Sequence, residues 1–449
     1  MKKLIETLSN IWKIEELRQR ILLTLGLVLI YRVGTYITLP GIDPSALATV
    51  TSQGKGGILG LVNLFAGGAF SRASVFALGI MPYISASIAV QLLTIVVPYF
   101  QKLQKEGESG RRLINQYTRL LTVAVTLFQG MGYVVYLTSV DGDAILISPT
   151  LFSISTVVVL TTGTLFVMWM GEKITDKGLG NGISIIIMVG ILARLPESLF
   201  QELTSRLQSG GLIVFVLEIA FLLVVIAGCI ILVQGTRRIP VQYAKRNIVQ
   251  GGKMMQSGGV RQYLPLKINA AGVMPIIFAQ AIMFLPATIA QFLPGMDQNN
   301  GFLIAFNDIR SLPYNLTYFL LIVAFTYFYT ALIINPQQIA DDMKRNNGFI
   351  PGIKPGKNTA SFIDTVISRI TLPGSVFLGF VAIMPAIVML FGVQQAFALF
   401  YGGSSLIIMV GVILDTLQSI ETHLLNRHYD GLTSSGRIKG RQGYAMASM

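Results

Sequence analysis

His423 and His428 stand five residues apart near the C-terminal end of the chain. On a helix that spacing puts the two imidazoles on different faces, so they do not form a metal pair. Gly178, Gly180 and Gly182 form a triplet, but without the following strand-helix-strand unit that a dinucleotide site requires. The run Gly352-Ile353-Lys354-Pro355-Gly356-Lys357-Asn358 echoes a phosphate loop, yet its spacing is wrong and no Ser or Thr follows the lysine. No catalytic constellation, metal site, cofactor or intrinsic ATPase is expected, and energy for any work must come from a partner or from a membrane potential. The single cysteine, Cys229, lies in the apolar run Phe221 to Val233 and can make no disulfide within the chain.

The elements that hold these residues are apolar. Of 449 residues, 53% are hydrophobic and only 12% charged, which excludes a water-soluble core and points to a membrane protein. A spanning helix needs about 20 predominantly apolar residues, because its backbone must satisfy itself in lipid. Such runs occur at 21–37, 73–97, 120–136, 151–170, 183–200, 212–233, 270–292, 314–334, 372–391 and 404–421, which makes ten candidate spans. The fifth is interrupted at Arg194 and the tenth carries Asp415. With the N-terminus inside, 28 of the 34 basic residues fall in inner loops and both termini face the cytoplasm. The remainder are Arg32, Lys55, Arg72, Arg194, Arg206 and Arg310. A net charge of +13 is thereby concentrated on one face, where it attracts anionic lipids or an acidic or RNA-bearing partner. The N-terminal stretch through Arg20 is amphipathic and has no small-residue cleavage site after a short apolar core, so no cleaved signal peptide is expected.

Between the first two spans, the stretch Gly57 to Phe70 is apolar but too short to cross. It is expected to be interfacial, re-entrant or buried, with Gly67-Gly68 as a flexible joint. In the second span, Ile80, Ile84 and Ile88 share a face at spacing four, while Ser85, Ser87 and Gln91 add polar groups unusual on a lipid-facing helix. Asn269, Pro275, Gln280 and Pro286 interrupt the seventh span in the same way, which suggests a shared central pathway. Ile187 and Ile191 repeat the spacing of four, and Ile277 and Ile408 are available elsewhere. Only convergence on one constriction would give these isoleucines a role, since such a waist blocks ions and water by dewetting.

Separated motifs stand at Phe76 to Ile88, Lys105-Glu106-Gly107-Glu108-Ser109-Gly110-Arg111-Arg112, Gly180-Asn181-Gly182-Ile183-Ser184-Ile185, Tyr243-Ala244-Lys245-Arg246, Leu264-Pro265-Leu266-Lys267-Ile268-Asn269, Phe284 to Ala290, Pro351-Gly352-Ile353-Lys354-Pro355-Gly356 and Tyr401-Gly402-Gly403-Ser404-Ser405-Leu406. Together they resemble the SecY family of protein-translocase channel subunits. They occur in family order over essentially the whole chain.

The resemblance implies an all-α membrane protein whose ten transmembrane helices form two pseudo-symmetric five-helix halves, a clamshell with a short plug helix. Its expected divisions are a cytoplasmic N-terminus at 1–20, an N-terminal half at 21–205 that includes the plug at 57–71, a C-terminal half at 206–421, and a cytoplasmic tail at 422–449. The hinge would join spans five and six. Ile80, Ile84, Ile187, Ile191, Ile277 and Ile408 would form the pore ring, and Ile58, Leu61, Asn63, Phe65, Gly67 and Gly68 would belong to the plug. Ser87, Gln91 and Gln280 would be polar contacts at a lateral gate between spans two and three and spans seven and eight.

Loops 234–269 and 335–371 resemble the family's docking surface for the ribosome and the motor SecA, with Arg237, Arg238, Lys245, Arg246, Lys253, Lys354 and Lys357 as contacts. Lys354 stands where the family motif commonly has arginine, keeping the charge and losing the bidentate fork. The resemblance also implies the small subunits SecE and SecG, signal peptides and nascent chains as partners, with ribosomal RNA the only nucleic acid in view. A coupled solute transporter is the rival reading. It needs ionisable groups near the midplane, and the spans offer chiefly Glu218 and Asp415.

Overall fold

The computed structural model describes residues 14–43, 63–140, 145–208, 210–243, 246–250, 253–257, 261–280, 282–283 and 308–434. In chain order the helices of the first part are α1 (Glu15–Gly34), α2 (Met81–Val96), α3 (Pro98–Lys105), α4 (Glu108–Val140), α5 (Pro149–Lys177), α6 (Gly182–Gln208) and α7 (Leu212–Gln234). Strands β1 (Thr236–Tyr243), β2 (Arg246–Gln250), β3 (Lys253–Ser257) and β4 (Arg261–Lys267) follow. The chain continues through helical residues 274–280 to α8 (Leu312–Ile333), α9 (Pro336–Arg345), β5 (Gly348–Phe349), α10 (Lys357–Leu390), α11 (Gln395–Ala398) and α12 (Gly403–Ser434).

Among the described residues, seven helices are long and apolar enough to cross a membrane, or eight spans if the bent pair α2 and α3 counts as one. The first expected span is α1, which carries Arg18, Arg20 and Arg32 within its 20 residues. The seventh, at 270–292, lies partly outside the described residues. The helices also run past the apolar limits read from sequence: α4 starts at Glu108 and α10 at Lys357, because each helix continues into polar solvent-facing turns at the basic end.

The second span differs from expectation. Helix begins at Met81, with Pro82 in its first turn, and residues 66–80 run as successive turns. Glycines 67, 68 and 79 take φ of 63°, 89° and 54°, and even Ala73 sits at 45°, values a right-handed helix excludes. This irregular backbone is buried in protein, as membrane depth demands: Ala66, Ala69, Ala73 and Ala77 are at most 2% exposed. Its polar groups are satisfied by pairing with the end of α1, where Leu39 N donates to Ala73 O at 2.8 Å and Val75 N to Ile37 O at 2.9 Å. Helix α2 then breaks by 100° at Val97. The cause is Pro98, which keeps its predecessor extended (φ −97°, ψ 119°) and opens α3.

At the basic end, β1 pairs antiparallel with β4 over Thr236↔Lys267 to Gln242↔Arg261, and on its other edge with β5 through Gln242↔Phe349 and Tyr243↔Gly348. The two long loops thus share one three-stranded sheet, which the sequence reading left as loop. Ile239, Val241, Leu266, Met343, Ile350, Ile363 and Ile367 form its apolar underside.

Candidate functional site

The six isoleucines come from four separate stretches of chain. Ile80 precedes α2 and Ile84 lies in its first turn, Ile187 and Ile191 lie one turn apart on α6, Ile277 belongs to helical residues 274–280, and Ile408 sits on α12. All six belong to the extended apolar core of the bundle, which also takes in side chains of α1, α5, α7, α8, α10 and α11. Ile80, Ile187, Ile191 and Ile408 are buried at 5% exposure or less, while Ile84 and Ile277 are half-buried against the same core. Leu64 and Phe65 join that cluster from the short segment between the first two spans.

The segment at 63–71 is a tied turn. Asn63 Oδ1 accepts from Ser71 N at 3.1 Å and Asn63 O from Gly68 N at 2.8 Å, while Tyr133 Oη donates to Phe70 O at 2.7 Å. The turn lies directly on α6 at Gly190, where a Cβ would meet Phe65 O at 2.5 Å, a distance real side chains do not reach. Gly190 therefore seats the turn, a role the sequence reading missed because a helical glycine carries no local signal of what it faces. Phe65, Gly67 and Gly68 lie in this turn with Asn63, and Ile58 and Leu61 lie outside the described residues.

The polar residues expected at a lateral gate lie on two elements, α2 and helical residues 274–280. Ser87 and Gln91 are half-buried on α2. Gln280 is 4% exposed and lines a small cavity with Tyr314, Asn315, Tyr318, Pro385 and Ser404, to which α2 and α4 contribute nothing. The seam between α2 and the later helices is apolar instead: Ile88 packs on Ala271, Phe278 and Tyr329, the two rings meeting edge-on at 4.7 Å. The signal for Phe278 and Tyr329 was present only as Ile88 sharing the face of Ile80 and Ile84.

Of the docking candidates, Arg237 and Arg238 are exposed on β1, and Lys354 and Lys357 are exposed between β5 and α10. The Lys354 carbonyl accepts from Thr359 Oγ1 at 3.0 Å, so its loop is fastened by main chain and its ammonium is left outward. Arg246 and Lys253 lie at the two ends of the β2–β3 hairpin, in which Gln250 pairs with Lys253, and Lys245 lies outside the described residues. Among the described residues no group of three or more His, Cys, Asp and Glu stands close enough to hold a metal ion. Asp415 is exposed, and Glu218 is buried in an ion pair with Arg206.

The SecY family profile matches residues 74–417. The protein translocase subunit SecY of Streptomyces galbus is 42% identical over 435 residues, covering 94% of this chain and 98% of that protein. The chain belongs to the SecY family. Solved structures carry the same fold: one described as a protein-conducting channel has a TM-score of 0.64 at 15% identity, covering 92% of this chain and 94% of that one. Sec61 in the canine ribosome-channel complex from the endoplasmic reticulum has a TM-score of 0.59 at 15% identity, with the same coverage. This SecY-family chain is therefore an all-α, multi-pass membrane protein and a protein-conducting translocation channel.

Proposed function

We propose that the isoleucine cluster is the closed waist of the channel and that the 63–71 turn, as part of a plug spanning 57–71, seals it. The observation that supports this reading is that six isoleucines from four stretches and Leu64 and Phe65 of the turn all belong to one apolar core. A waist of branched aliphatic side chains dewets when closed and yields to an extended polypeptide without specific contacts, so it suits unfolded secretory chains of any sequence. The chain acts by gating and catalyses no reaction of its own.

The two halves, 21–205 and 206–421, part about the α6–α7 junction, and transmembrane segments leave sideways through the apolar seam of Ile88, Phe278 and Tyr329. Ser87 and Gln91 border that path. The sheet of β1, β4 and β5, with Arg237, Arg238, Lys354 and Lys357, is the docking platform for the ribosome and for the motor SecA, with SecE and SecG as accessory subunits. In this arrangement the protein resides in the bacterial inner membrane, its basic face and both termini in the cytoplasm among anionic lipids.

The deciding experiment crosslinks a stalled secretory precursor to cysteines placed at Ile84 and Ile277. Adducts at both positions support the waist, and adducts at neither remove it. Proton- or sodium-driven uptake of a small solute by vesicles holding only this chain, with no precursor uptake when a motor is added, would favour a coupled transporter instead.

A further inference from the structure

Six basic residues lie away from the basic face of the chain, and three of them, Arg32, Arg72 and Arg194, meet at one spot. They come from the last turn of α1, from the irregular 66–80 segment and from α6. Arg32 Nη1 donates to Gly67 O at 3.3 Å. A Cβ built on Gly68 would lie 3.3 Å from Arg194 Nε and 3.5 Å from Arg72 Cζ, and one on Gly67 would lie 2.7 Å from Arg32 Nη1. All three guanidinium groups therefore touch the Gly67-Gly68 pair. Two of them share one ring: Arg72 Cζ stands 4.2 Å and Arg32 Cζ 5.6 Å from the centre of Tyr36.

Like charges held this close repel, and among the described residues no carboxylate forms an ion pair with any of the three. Glu197, one turn along α6, acts on Arg194 at a distance, and its Oε1 accepts from Gln201 Nε2 at 3.3 Å. Arg72 Nη1 is buried without any hydrogen-bond partner. Residues 44–62, which precede the turn, contain no Asp or Glu and add Lys55. An orphaned buried guanidinium nitrogen between two further guanidinium groups is a donor set lacking its acceptor.

We propose that Arg32, Arg72 and Arg194 form an anion site beside the 63–71 turn, which takes a phosphate-class oxyanion, either the phosphodiester of a lipid headgroup or free phosphate. Planar guanidinium forks match the spaced oxygens of a phosphate and bind it in bidentate fashion, which a lysine at the same place does not reproduce. All three side chains are half-buried, so the site is sheltered enough to strengthen the contacts and open enough to be reached. The bound anion joins α1, α6 and the turn, and so holds the turn on Gly190.

The test uses the full chain in micelles of the phosphorus-free detergent dodecyl maltoside, with and without added phosphatidylglycerol or inorganic phosphate, and reads bound anion by native mass spectrometry and phosphorus NMR. Binding needs no translocation, so its failure is separate from failure of the channel reading. One oxyanion per chain is expected, with affinity falling at least tenfold in Arg72→Gln and in Arg194→Gln, restored only in part by Arg72→Lys, and unchanged in Arg112→Gln, an exposed arginine elsewhere. Retention from phosphatidylglycerol alone identifies the headgroup as the source, and retention from inorganic phosphate alone identifies the free ion. Absence of any anion dependence in the wild-type chain, or equal binding by the wild type and whichever of the Arg72→Gln and Arg194→Gln variants keeps the wild-type melting temperature, overturns the proposal.

Discussion

Arg206 Nη2 donates to Glu218 Oε1 at 2.6 Å, closing a charge contact across the Gly210-Gly211 junction between α6 and α7. The same guanidinium reaches Glu202 Oε1 through Nε at 2.9 Å, and Glu202 Oε2 accepts from the backbone N of Gln394 at 2.9 Å. One network thus fastens the end of α6 to the start of α7 and to the chain ahead of α11. Both carboxylates are deeply buried, with side chains 1% and 9% exposed.

Removing the cation should be far worse than removing one anion. Arg206→Gln leaves two buried carboxylates without their partner and is expected to cost about 3–5 kcal/mol. Glu218→Gln keeps an acceptor for Arg206 and should cost clearly less, since Glu202 still balances the guanidinium. Thermal unfolding in lipid nanodiscs reads both, and equal losses would show that the pairing is not what holds the junction.

Gly190→Ala normally favours a helix by about 1 kcal/mol. Here the new Cβ would fall 2.5 Å from Phe65 O, so the 63–71 turn must lift off α6. A rise in ion conductance of vesicles with helix content unchanged is the expected outcome; a tight seal in this variant would place the barrier elsewhere.

Ile84→Gly and Ile408→Gly should each raise ion leak. Ile408 is 3% exposed, so its truncation also costs about 2–5 kcal/mol of stability, whereas half-buried Ile84 loses less. Deleting residues 60–69 should loosen the seal and leave the helices folded. Unchanged conductance in the two isoleucine variants would take these residues out of the waist, and unfolding on deletion would make the segment a structural core.

Lys354→Glu should weaken motor- or ribosome-dependent transport by about tenfold, since it reverses a charge on an exposed surface. The Thr359 hydrogen bond goes to the Lys354 carbonyl, so the melting temperature should not move. Lys354→Arg separates charge from geometry: a gain in partner affinity would show that a planar fork is wanted there.

The long apolar helices were legible because lipid permits so few solutions for a spanning backbone. The isoleucines were legible as a pattern, through the spacings Ile80-Ile84 and Ile187-Ile191, but their place in one core depends on elements far apart in the chain. Residues 73–80 were read as helix because all but Ser74 are apolar or glycine. The positive φ of Ala73 accompanies tertiary pairing with residues 37–39, which no local pattern announces. The β1–β4 hairpin was hidden by Pro240 and by the basic residues of a strand with only one apolar face. Glu218 was legible only as an ionisable group that a coupled transporter could use; that its partner is Arg206, twelve residues earlier, follows from the tight turn at Gly210, where φ is 71°.

Strand β1 is bonded along both edges, to β4 within its own loop and to β5 in the other. The sheet leads into α7 on one side and towards α9 and α10 on the other, so a load gripped at either loop is shared by both. A force applied to either loop is therefore carried to α7 and α10 together, and neither loop can shift without the other.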